Sequence, residues 1–93
     1  MQSSTIKHWK IWLLNRILLL AEDIRFEELK RILERYGYRC QQPRSGSSHY
    51  SFRKQGAPTI TLPKPHRGKP MKRVYVKMVR DIVQKEMEID EES

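Results

Sequence analysis

Residues 45 to 52 read SGSSHYSF, and three signals meet there: turn chemistry, a titratable ring and a strand pattern. His49 follows a Gly-Ser-Ser turn and opens an alternation. Tyr50 and Phe52 fall on one face, with His49, Ser51 and Arg53 on the other. The aromatic side chains belong in a core, so His49 is expected to face solvent beside an arginine. Histidine titrates near neutral pH, which suits it to take or give a proton.

The surrounding composition narrows which reaction such a histidine could serve. From Arg35 to Arg80 the chain carries twelve Lys or Arg and no Asp or Glu in 46 residues, within a net charge of +8. The acids sit at residues 22–34 and 81–92. A surface of this kind attracts polyanions through counterion release. Two-metal hydrolysis needs carboxylates close to the phosphate-binding groups, and here they are segregated from the basic segment. No Cys/His spacing suits zinc, Gly46 does not open a phosphate-binding helix, and no acid lies close enough in sequence to suggest a Ser-His-Asp set. No cofactor is expected.

Metal-independent cleavage of RNA fits what remains. The ribose 2′-hydroxyl is the nucleophile, so the protein supplies a base and positive charge. His49 is the candidate base, with Arg53, Lys54, Lys64 and Arg67 as candidates to stabilise the extra charge on phosphorus. The acid for the leaving 5′-oxygen is not evident; His66 or a water could serve. His8, beside Trp9, is expected to be a surface or packing residue. Cys40 is the single cysteine, which points to a reducing compartment and to a small half-buried core residue.

A chain of 93 residues forms one small domain, able to bury roughly 60–65 % of its unfolded surface. Ile6, Trp9, Leu13, Ile17 and Leu20 make a helical stripe over residues 6–20. Its run IWLLNRILLL is too short to span a bilayer and carries Arg16, so a soluble, cytoplasmic protein is expected. Asp23 is the expected N-cap of a second helix, with Phe26, Leu29, Ile32, Leu33 and Tyr36 inward and Gly37 as its stop. Pairs of Glu27 with Lys30 and Arg31 would support its outer side. Three short strands follow at 38–42, 48–54 and 59–62, joined by tight turns. Pro63 to Pro70 (PKPHRGKP) is a stiff basic loop, and Pro70 suits the first turn of a last helix. That helix should bury Tyr75, Met78, Val79 and Ile82 and expose Arg73, Lys77 and Arg80. KEMEIDEES should fray. The order α-α-β-β-β-α predicts an α+β fold, helices on one face of a three-stranded antiparallel sheet. His49, Ser51, Arg53, Thr59 and Thr61 should lie on the open face.

These pieces, in this order, resemble the HicA-type toxins, small ribonucleases of toxin–antitoxin pairs. The resemblance rests on the Gly46-Ser47-Ser48-His49 turn entering a strand, preceded by LKRILERYGY and followed by ITLPKPHRG and KRVYVKMVRDIV. It covers about residues 22–85. It implies a double-stranded-RNA-binding-domain-like fold, mRNA cleavage that arrests growth, and a need for the histidine matching His49. It also implies a HicB-type antitoxin that covers the site and contacts operator DNA with it. On that reading Gly46, Ser47 and Ser48 position phosphate, while Lys64, Arg67 and Lys69 of the loop and Arg73, Lys77 and Arg80 of the last helix hold the RNA backbone. Residues 1–21 form an extra helix and 86–93 an acidic tail, both additions to short members of the family. The alternative is a non-catalytic module that grips RNA by shape and phosphates; a third reading has the last helix contact DNA.

Overall fold

The structure, a computed structural model, describes residues 4–44 and 46–92, with side chains from 11 to 44 and from 46 to 89. Ser45 and the side chains of Ile6, His8 and Trp9 therefore lie outside the described residues. The elements are α1 (Ser4–Leu18), α2 (Phe26–Arg35), β1 (Arg39–Gln41), β2 (His49–Arg53), β3 (Ile60–Pro63) and α3 (Arg73–Glu92), with a short 3₁₀ turn at His66–Gly68. This is the α+β order expected, with an antiparallel sheet in the order β1-β2-β3, consistent with the fold of double-stranded-RNA-binding domains.

Alternation along the strands builds the core. Phe52 and Leu62 are fully buried and Ile60 nearly so, while Tyr50 and Cys40 pack against the same cluster. Opposite them the helices contribute Leu13, Ile17, Phe26, Leu29, Ile32, Leu33, Val76, Val79 and Val83. The Phe26 ring lies 5.0 Å from that of Tyr50 and 6.2 Å from that of Phe52, so the start of α2 clamps β2 from behind. His49, Arg53, Thr59 and Thr61 are exposed and Ser51 half-buried, on the side of the sheet with no helix.

Several local expectations are corrected. Leu20 does not continue α1; it adopts a left-handed conformation (φ 55°). The Leu20 and Ala21 amides donate to the Ile17 and Arg16 carbonyls, the closing pattern usually given to glycine. Asp23 is not the N-cap of α2. Arg25 holds that position with extended backbone, and its N–H donates to the Glu28 carboxylate at 2.8 Å. Asp23 instead accepts from Arg16, whose guanidinium also grips Glu28 at 2.9 and 3.1 Å. Lys30 pairs with Glu34 rather than Glu27, whose carboxylate reaches Lys64. Gly37 (φ 97°) ends α2 as expected, with the Tyr38 N–H donating back to the Leu33 carbonyl.

Pro70 precedes α3, which starts at Arg73 after the Lys72 carbonyl accepts its first bonds. Its buried stripe is Val76, Val79 and Val83, whereas Met78 and Val74 are exposed. The segment Val74 to Val83 is apolar on two overlapping faces, and only packing against α1 and α2 selects one. Residues 85–92, expected to fray, continue the helix, anchored at Glu86 by Lys54 at 2.8 Å.

Candidate functional site

Turn and sheet geometry together fix His49. The Ser47 amide donates to the Arg44 carbonyl, closing the turn, and Gly46 takes the left-handed conformation (φ 87°) that a Cβ would oppose. Ser47 Oγ then accepts the His49 N–H at 3.1 Å. On the other side the Lys64 N–H donates to the Ser48 carbonyl at 2.8 Å, and His49 stands in register with Pro63. The imidazole is thus exposed on a backbone held from both flanks, and the ring of the next residue, Tyr50, packs against Phe26 in a tilted contact.

The basic loop is tied to the same end of the molecule. Lys64 Nζ lies 5.6 Å from the Phe26 ring centroid, 5.9 Å from that of Tyr50 and 3.4 Å from the Glu27 carboxylate. The Arg25 guanidinium donates to the Gly68 carbonyl, and the Met71 N–H donates to the Ile24 carbonyl at 2.7 Å. Between these ties Arg67 is held in a left-handed conformation (φ 56°, ψ 36°), and His66, Arg67 and Lys69 are all exposed. Gly46, Ser47, Ser48, His49 and Lys64 therefore gather around the start of β2 and the end of β3, with Arg67 and Lys69 on the loop that follows β3.

The other expected contacts lie elsewhere. Arg53 and Lys54 are at the far end of β2. Lys54 turns to the helix side, on the Tyr38 ring (5.4 Å) and against Glu86. Arg53 Nε donates to Gln41 Oε1 at 3.0 Å. On α3, Arg73 and Lys77 are exposed, whereas the half-buried Arg80 donates to the adjacent Asp81 at 3.1 Å. Three placements escaped the sequence reading: those of Arg25 and Glu27, which the entry to α2 delivers to the basic loop, and that of Arg39, which strand register sets opposite Arg53. A paired strand register would have revealed Arg39; nothing local signals the other two.

Burial raises the Cys40 thiol above its ordinary range and does the same to the Tyr38 phenol, outweighing the nearby Lys54 ammonium that opposes it. Neither group is thereby prepared as a nucleophile. Among the described residues no three His, Cys, Asp or Glu side chains cluster closely enough to hold a metal ion, and no helix is long and apolar enough to cross a membrane.

The family model for the HicA toxin of bacterial toxin–antitoxin systems matches residues 26–87. The chain belongs to the HicA toxin family. The HicA match begins at the first residue of α2 and ends on α3, so it contains the turn at Gly46, all three strands and the basic loop and leaves out α1. No curated protein and no solved structure matches the chain at a significant level. HicA membership makes this chain a toxin of a toxin–antitoxin system, a class defined by a partner antitoxin.

Proposed function

We propose that this HicA chain is a metal-independent endoribonuclease that cleaves mRNA in the cytoplasm, with His49 as general base and a HicB-type antitoxin as its inhibitor. The reading is carried by one observation: His49 is exposed at the start of a strand, its backbone fixed by Ser47 Oγ in a turn that also carries Ser48, within the stretch 35–80 that has twelve Lys or Arg and no acid. His49 takes the 2′-hydroxyl proton, and the 2′-oxygen attacks the adjacent phosphorus. The P–O5′ bond breaks, a proton from water or His66 goes to the 5′-oxygen, and the products carry 2′,3′-cyclic phosphate and 5′-hydroxyl ends. Lys64, Arg67 and Lys69 supply positive charge to offset the negative charge that builds on the phosphate oxygens; Arg73, Lys77 and Arg80 are where RNA backbone or the antitoxin's operator complex would meet α3.

The second reading, a module that binds RNA without cutting it, is favoured by the lack of a carboxylate hydrogen-bonded to His49 among the described residues. A substrate with one deoxyribose at the cut site separates the two. Under the ribonuclease reading the deoxy strand binds as the all-ribose strand does and survives uncut at that position. Cutting that persists there would remove the 2′-hydroxyl from the mechanism.

A further inference from the structure

We infer that Arg39 and Arg53 form a second phosphate-binding site for a single RNA strand, at the end of the open sheet face away from His49. The inference rests on the ribonuclease reading and extends the same surface. Arg39 and Arg53 are directly paired across β1 and β2, so their Cβ atoms share a face about 4.5–5.5 Å apart. Like charges in that position repel, and among the described residues no carboxylate on the face offsets them. Gln41 Oε1 accepts only Arg53 Nε, which orients the guanidinium and leaves its terminal nitrogens available. Among the described residues Arg39 has no hydrogen-bond or ion-pair partner. The two border an open cleft of about 610 Å³ that Lys54, Gln55 and Thr59 also line. Glu86, the acid brought near by Lys54, is held on the helix side.

The occupant follows from chemistry. Two planar guanidinium forks without a counter-charge fit a phosphate bidentately. Between them and His49 the face carries Gln41, Ser51 and Thr61, all polar. The large exposed apolar side chains lie on or next to helices, so this face lacks the apolar anchor a protein partner would bury. Four strand steps separate the Arg53 and His49 rows, about 13 Å. That is more than one nucleotide covers, so the phosphate held here belongs to a different nucleotide from the one at His49.

The test uses the full chain in EDTA with 2′-O-methyl strands, which cannot be cut, of about twelve and about three nucleotides. Arg39→Gln/Arg53→Gln should bind the long strand about tenfold more weakly, and the slope of log K against log salt should shrink by about 1.4, two single-strand contacts. Binding of the short strand should not change. Arg39→Lys/Arg53→Lys should keep the slope while losing part of the affinity, which a misfolded protein would not do. Wild-type affinity and slope in the Gln variant would overturn the inference, as would equal losses on both strands. A wild-type protein that cuts RNA while the Gln variant matches it would sink this site alone; a wild type that binds neither strand would remove the ribonuclease reading with it.

Discussion

Ile17→Ala decides whether α1, which lies outside the HicA match, is part of the domain or an appendage. Ile17 is fully buried, and Leu13 one turn earlier is 3 % exposed. Removing the Ile side chain loses its transfer free energy and leaves a cavity, together about 2–5 kcal/mol. In a domain of 93 residues, total stability is about 5–15 kcal/mol, and each kcal/mol moves the midpoint by about 4–8 °C. The variant should therefore melt about 8–40 °C below wild type, as followed by far-UV circular dichroism. Trp12 provides the contrast. It is 60 % exposed and touches Arg16 by a cation–π contact at 4.9 Å, so Trp12→Ala should cost about 0.5–1 kcal/mol. A midpoint for Ile17→Ala within about 2 °C of wild type would refute the reasoning, because it would mean that the α1 face does not close the core.

Other outcomes follow from single contacts. Gly37→Ala should lose about 1–2 kcal/mol through its left-handed backbone, since the new Cβ would sit at an ordinary 3.6 Å from Lys54; denaturant titration checks this. The Lys54–Glu86 pair is partly exposed, so a double-mutant cycle should give a coupling of about 1 kcal/mol or less, falling with salt. Cys40 and Tyr38 hold their protons more tightly folded than unfolded, so their contribution is complete below the unfolded values of 9.0 and 10.0 and is lost as pH rises above them. Stability should therefore fall on the alkaline side, and thiol reagents should label Cys40 more slowly in the native than in the unfolded chain at pH 8.

The sheet was readable because its alternation is strict: only one choice of inward face puts Tyr50, Phe52, Ile60 and Leu62 against the core together, and that choice exposes His49. Gly37 was legible for the same reason, as left-handed backbone favours glycine. Leu20 shows the limit, because a leucine held left-handed by two carbonyls gives no local sign of it. The cap of α2 was hidden likewise: Asp23 has the better cap chemistry, yet Arg16 claims its carboxylate and Glu28 caps Arg25. On α3 the apolar residues support two stripes, and tertiary packing chose Val76 over Met78. The turn around His49 could be read from eight residues. The grouping of Arg25, Glu27 and Lys64, and the facing of Arg39 and Arg53, arise from contacts distant in sequence.

The most direct test of the ribonuclease account compares RNA cleavage by wild type and His49→Ala in EDTA, with binding measured in parallel. His49 is exposed and outside the core, so the substitution should leave folding and RNA affinity close to wild type while abolishing the cut. Equal cutting by both proteins would contradict the account by removing His49 from the chemistry; binding without cutting by either would leave an RNA-binding module in its place.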